Sequence, residues 1–426
     1  MARLHPLRAV RFDLEHVKLA GVLAPPYDVI DPELQETLYG RDLRNIVRID
    51  YGKELPGDVP GREDRYTRAA AHLESWLRLG ILERDPRPAV YVYEHEFPTD
   101  DGRRLQRRGI FARVAARPWE RSEVLPHERT LRGPKEDRLA LMRATRMQTS
   151  AVFALWDGAV GIDAALEAAT AVEPHMTGHH RGEVGREEHR LWVVDNPRST
   201  AAILESLSPA RLYVADGHHR FETAAAYAAE RRAEEPGAPD DAGFAFALVH
   251  ICDARDPAIE VLPTHRLLRA AAGLPSTLAE LRARLDARFA VEPRADLATA
   301  FAEAGAVRAE RHAFAVAARD GVALVHAPRV EDPSPRARLD ATVLEDGILA
   351  ALGVGPERIA GGALAYTRRV EEADTSVRAG DALFAFCLSG CTPAEIIAVS
   401  DAGETMPQKS TYFYPKVPTG LILSPL

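Results

Sequence analysis

Cysteine is scarce in this chain, with three among 426 residues, Cys252, Cys387 and Cys391. An odd number at spacings that match no zinc ribbon gives no disulfide framework, so the expected setting is a reducing cytoplasm. There is no basic surplus either. Lysine and arginine number 54 against 63 acidic residues, a formal charge of −9. A protein whose main business is neutralising phosphate backbones carries the opposite balance, and no segment reads as a basic helix-turn-helix, so nucleic acid is an unexpected partner. Long apolar runs are missing as well. Met1–Arg11 lacks a signal-peptide core, and no stretch has the twenty or so apolar residues of a membrane span. No internal repeat is visible. What remains is an ordinary globular composition, 46% hydrophobic and 27% charged, in a chain long enough for two or three cores.

The pattern of elements is mixed α/β, of the α+β kind. Residues 1–95 read as a first unit. Pro25 and Pro26 hold Val22–Ile30 extended, Asp31-Pro32 opens a short helix, Asn45–Ile49 reads as a strand, and Arg62–Leu79 has helical spacing. A second unit spans 96–270. Ala89–Phe97 and Arg108–Val114 flank the hairpin signal Asp101-Gly102, a helix-forming stretch runs from Arg138 to Met147, and Val152–Trp156 reads as a buried strand. Residues 158–200 read as an insertion. Glu173, His175, His179, His180, Glu183 and His189 crowd together there and suggest a metal site. Pro174, Gly178, Gly182 and Gly185 break any rigid scaffold, however, and solvated loops have the same composition. The remainder, 271–426, reads as a C-terminal α/β unit. Its last segment, 404–420, is rich in hydroxyls, cations and aromatics, unlike a fraying tail, and is expected to return to a functional site.

Chemistry concentrates at Tyr213-Val214-Ala215-Asp216-Gly217-His218-His219-Arg220. A short apolar run reads as a buried strand, Asp216-Gly217 must turn the chain, and a helix begins near Arg220. Strand, sharp turn and helix N-terminus aim backbone N–H groups and partial positive charge at one point, which suits an anion. Arg220 adds a planar fork for phosphate, and the two histidines add donors. Asp216 is the odd member, because a carboxylate repels phosphate. A Mg²⁺ ion or a proton to be taken from a nucleophile explains it, and helix capping is the plainer alternative. Leu125-Pro126-His127-Glu128-Arg129-Thr130 and Pro407–Lys416 hold the other dense clusters. Together the three supply cations for phosphates, a carboxylate for a metal and a base for an acceptor hydroxyl. Tyr27 and Asp28, on their proline-stiffened loop, and His265, after Pro263-Thr264, are further candidates to line a pocket.

Pro126-His127-Glu128 followed by Asp216-Gly217-His218-His219-Arg220 resembles the core motifs of the ParB/sulfiredoxin superfamily, most closely its free-serine kinases. Pro407-Gln408-Lys409-Ser410-Thr411 matches their late Ser-Pro-Lys-Thr-Thr segment. From Ala24–Asp28 to Tyr412–Lys416 the chain also resembles the family called domain of unknown function 1015. The resemblance implies a ParB/sulfiredoxin-like core and a nucleotide-dependent phosphotransferase acting on a small hydroxylated metabolite, free serine or phosphoserine, with Mg²⁺ and ATP or ADP. It implies Glu128 as base and Asp216 as metal holder or assistant. Gly217, His218, His219 and Arg220 would bind phosphates, with Lys409, Ser410 and Thr411 closing over them, and His127, Tyr27, Asp28 and His265 would stand nearby. The added N-terminal unit and the insertion between the first two motifs depart from that pattern, so pocket residues do not transfer. Two alternatives stay open: a phosphoserine-type phosphatase using the same cradle, and a ParB-like nucleotide-binding regulator. A sulfiredoxin activity requires a cysteine at the turn, and residues 213–224 contain none.

Overall fold

A computed structural model describes residues 3–130, 132–271 and 273–426 as a mixed α/β protein. The chain forms two compact units. One comprises residues 1–126, 130–259 and 415–426, and the other 127–129 and 260–414.

The first unit is built on a nine-stranded sheet. From edge to edge its strands are Val124–Leu125, Arg211–Asp216, Val152–Asp157, Phe246–Asp253, Arg104–Ala115, Val90–Pro98, Arg186–Val194 and Met176–Arg181. Leu4–His5 extends the ladder beside Arg104–Ala115 at Val114 and Arg113. Pairing is antiparallel except where Arg211–Asp216 meets Val124–Leu125 and where Phe246–Asp253 meets Val152–Asp157.

Side chains alternate across a strand, and here the alternation sorts two chemistries. One face carries Val90, Val92, Ile110, Ala112, Val152, Ala154, Leu212, Val214, Val249 and Ile251. These pack on Ile203 and Leu207 of the Pro197–Leu207 helix and on Phe221, Ala224 and Tyr227 of the His218–Glu234 helix. Phe221 is fully buried, a contribution of about 2–3 kcal/mol by transfer alone. The opposite face carries Tyr91, Tyr93, His95, Arg107, Phe111, Glu187, His189 and His250, aromatic or polar and all buried.

Several element starts follow from local chemistry. Asp31 accepts from Leu34 N with Pro32 in the first turn of Pro32–Arg41, Asp64 closes a capping box on Arg65–Arg78, and Asn196 caps Pro197–Leu207. Asn45–Ile49 is not a strand: Val47–Asp50 is one short helical turn. The Asn45 side chain accepts from Val47 N and donates to the Gly21 and Leu23 carbonyls, which pins the turn. A short apolar run has no periodicity that separates strand from buried helix. The stretch 173–189 is also more regular than its glycines suggest, because Met176–Arg181 pairs in register with Arg186–Val194.

The second unit holds a six-stranded antiparallel sheet in the order Ala290–Arg294, Gly321–Pro328, Arg311–Ala318, Phe384–Cys387, His265–Leu268 and Leu364–Thr367. Leu268, Phe314, Val316, Phe384 and Phe386 pack on one face against Leu344, Ile348 and Leu349. Ala315, Ala317 and Ala385 pack on the other, against Leu297, Ala300 and Val377. Glu260–Leu262 and Tyr412–Tyr414 form a separate antiparallel pair, which holds the three aromatics in place.

Candidate functional site

In the first unit the strand Arg211–Asp216 ends in a register shift between Val214 and Asp216. Such a bulge re-aims the last side chain. Gly217 then takes φ +93°, and the helix runs from His218 to Glu234. The left-handed turn favours glycine, and a Cβ there would lie 2.8 Å from Arg220 Nε. The position before the helix is Gly217, which has no side chain to cap with, and the first turn carries the positive end of the helix dipole.

Asp216 does not cap the helix. Its Oδ1 accepts from Lys416 Nζ and its Oδ2 from Arg220, and Arg220 also donates to the Ala151 carbonyl. The carboxyl is largely buried, which alone would raise its pKa. The charges of Lys416 and Arg220 outweigh that and hold it far below the usual carboxylate range. Burial likewise works against the Arg220 charge, and Asp216, Asp28, Tyr27 and Asp50 together restore it. Tyr27 lies under the Arg138 guanidinium, 4.1 Å from ring centre to Cζ, and burial pushes its hydroxyl up to about 12. Tyr27, Asp28 and Arg220 therefore share one electrostatic neighbourhood.

Behind Arg220 is a cavity of about 30 Å³ lined by Asp50, Arg138, Thr149, Ser150 and Thr223, room for a water molecule. Asp50 Oδ1 accepts from Thr149 Oγ1 at 2.5 Å and its Oδ2 is buried without a hydrogen-bond partner. One turn into the helix, Glu222 accepts from Trp119 Nε1 (2.6 Å), Thr130 Oγ1 (2.6 Å) and Lys135 Nζ (2.7 Å). Trp119 also stacks on Phe221 at 4.5 Å. His218 is buried within 6.3 Å of the same indole and His219 is half-buried.

The donor set does not suit a magnesium ion held directly by Asp216, because both carboxylate oxygens already face cations. Magnesium at this turn would arrive with a nucleotide's phosphates.

The second unit carries the other candidates. His127 is fully buried, its carbonyl accepts from Met406 N at 2.8 Å, and its Nε2 lies 3.1 Å from Thr411 Oγ1. Thr411 Oγ1 is 3.5 Å from Glu128 Oε1, which places His127, Glu128 and Thr411 together. Ser410 is buried and donates to the Pro407 carbonyl at 2.6 Å. Lys409 is exposed and takes φ +56°, a strained conformation for a residue with a Cβ. His265 is buried edge-on to Phe301 with neither ring nitrogen hydrogen-bonded, and burial pulls its pKa down to about 4. Its neighbour Arg266 points to the other face of the strand, where Glu345, Tyr366, Cys391 and Glu128 act on its charge.

Four participants escape sequence reasoning. Lys416 stands in a conspicuous segment, but nothing local shows that it pairs with Asp216. Asp50, Glu222 and Arg266 look like ordinary surface charges until their burial is seen. A fully buried arginine at a strand position is visible only as an interruption of an apolar run.

The family model for a protein of unknown function, DUF1015, matches residues 4–342. No curated protein matches. Among solved structures the chain is similar to a mutant free serine kinase in complex with AMP, with 14% identity, 74% of this chain and 92% of that one covered, and a TM-score of 0.37. It is also similar to a conserved hypothetical protein from Pyrococcus furiosus, with 14% identity, 74% and 95% covered, and a TM-score of 0.35. For SbnI with a C-terminal truncation from Staphylococcus aureus, the identity is 10%, coverage 74% and 87%, and the TM-score 0.35. The match to the family model spans well over half of the chain, and the protein belongs to the DUF1015 family.

Proposed function

We propose that this protein transfers a phosphoryl group from a nucleotide, ATP or ADP, to the hydroxyl of a small metabolite, with free serine as the acceptor. The observation that supports it most is the cation pair Lys416 and Arg220, clamped by the Asp216 carboxylate beside the helix start at Gly217-His218. Lys416 and Arg220 are both held on one acid, fixed in place before any ligand binds. That is what a phosphate cradle requires, since preorganised charge costs no rearrangement during transfer. Asp216 is here a positioning residue that holds the cationic pair.

The remaining roles follow the motif order Pro126-His127-Glu128, Asp216–Arg220 and Lys409–Thr411. Backbone N–H groups of His218 and His219, with Lys416 and Arg220, hold phosphate oxygens. Glu128 takes the acceptor proton as the hydroxyl oxygen bonds to the terminal phosphorus and the bond to the leaving nucleotide breaks. Lys409, Ser410 and Thr411 are assigned to the transferred group by the same motif order.

The test is a panel of hydroxylated amino acids with each nucleotide as its magnesium salt, followed by phosphorus NMR. A phosphoserine signal is expected, together with loss of about 10²-fold or more in rate for Glu128→Gln. Release of free phosphate with no ester would favour a phosphatase instead. No transfer to any acceptor, or a wild-type rate in Glu128→Gln, would end the reading.

A further inference from the structure

The polar face of the first unit's sheet holds a second cluster that shares no residue with the proposed phosphate cradle. Antiparallel pairing sets His189 directly across from His95, and Glu187 across from His180. One ligand atom each from His95, Glu187 and His189 lie within 4.8 Å of one another, and all three side chains are buried. His95 Nε2 is 2.7 Å from Glu187 Oε2. His189 places Nδ1 2.7 Å from the Tyr93 hydroxyl and Nε2 2.7 Å from His180 Nδ1. His180 Nε2 in turn lies 3.8 Å from Glu187 Oε2.

We infer that His95, Glu187 and His189 form a binding site for a late first-row divalent cation of the zinc type, with His180 at its rim. The donor chemistry is imidazole and carboxylate, which suits zinc and its neighbours rather than magnesium or calcium. Tyr93 on His189 Nδ1 is the outer partner that orients a ligating imidazole and turns its Nε2 inward. Tetrahedral bonds near 2.0–2.1 Å set ligand atoms about 3.3 Å apart, so the His95–Glu187 pair at 2.7 Å opens slightly and the wider separations, up to 4.8 Å, close, a side-chain adjustment. The backbone is shaped around the carboxylate: a Cβ at Gly182 would fall 1.8 Å from Glu187 Oε1. A buried carboxylate among imidazoles is costly unless a cation meets it. Arg107, across from His95 in register, lies over the Phe153 ring and donates to the Pro415 carbonyl, and its charge reaches Glu187 as well. Three protein donors leave a coordination position open, and a hydroxide or other anion there offsets the charge near Arg107. His180 stands on the edge strand between exposed His179 and Arg181, which makes that edge the entry side.

The experiment uses the full chain, stripped with a chelator and titrated with cobalt(II). Expected are one ion per chain with visible ligand-field bands, displacement by zinc, and imidazole scattering at about 2.0–2.1 Å in X-ray absorption of the zinc form. Glu187→Gln and His189→Gln should each weaken binding at least tenfold, while His179→Gln, on the same hairpin but exposed, leaves it unchanged. Circular dichroism of the metal-free variants checks folding, and the wild-type absorption spectrum decides the ligand type should a variant unfold. Absence of stoichiometric cobalt binding, scattering without imidazole, or equal loss in His179→Gln and His189→Gln would overturn the assignment.

Discussion

Replacing Asp216 with asparagine is expected to cost stability as well as activity. From sequence alone it is an isosteric change that tests chemistry cleanly. In the structure it removes the negative charge between Lys416 and Arg220, whose side chains are only 11% and 9% exposed. Breaking a buried pair on one side typically costs 3–5 kcal/mol, because the partner is left uncompensated. The asparagine keeps one hydrogen bond, so about 3 kcal/mol is a reasonable expectation, or a shift of roughly 6–12 °C in a unit of this size. Urea unfolding of the single variants and of Asp216→Asn/Lys416→Met measures it. The double variant should recover a good part of the loss, since it removes one of the stranded cations. The pH dependence has a definite sign. Asp216 has a folded pKa held below its unfolded value near 3.9. Its contribution is present above that value and is lost as pH falls towards the folded pKa, so the gap between wild type and Asp216→Asn should narrow in acid. A single-variant cost below about 1 kcal/mol, or strict additivity in the double variant, would refute the clamp.

Gly217→Ala should destabilise by about 1–3 kcal/mol in the same urea assay, from the left-handed backbone and from a Cβ pressed on a guanidinium that Asp216 pins. It should also weaken nucleotide affinity by calorimetry, since the helix start moves. His265 has its folded pKa lowered by burial to about 4, against 6.5 unfolded. Protons therefore favour the unfolded chain, and stability should be full above pH 6.5 and fall as pH drops towards 4, by on the order of 3 kcal/mol. His265→Phe should flatten that slope in melts over pH 4–7, and an unchanged slope would reassign it.

The legible parts of this chain are those governed by local rules. Asp31-Pro32 starts a helix, Asp101-Gly102 turns a hairpin, and an apolar run ending at Asp216-Gly217 becomes strand, left-handed turn and helix, because each is settled by a few neighbouring dihedrals and caps. Asn45–Ile49 defeats the same approach, because its helical turn is held by carbonyls more than twenty residues away. The histidine-rich stretch fails for a related reason. Its glycines suggest loops, yet a register with Arg186–Val194 turns alternate residues inward, and only pairing with Val90–Pro98 gives His189 its neighbour His95.

Sequence by itself determined the family, the mixed α/β class and the residue types at the Asp216-Gly217 turn, since motif order and hydrophobic period are written along the chain. Tertiary structure alone decided that Asp216 clamps Lys416 and Arg220, and that Arg266 rather than His265 lies on the Glu128 side of its strand. The physical reason is range. Propensity, capping and turn chemistry act over a few residues, whereas burial and ion pairing join groups such as Asp216 and Lys416 that are separated by 200 positions.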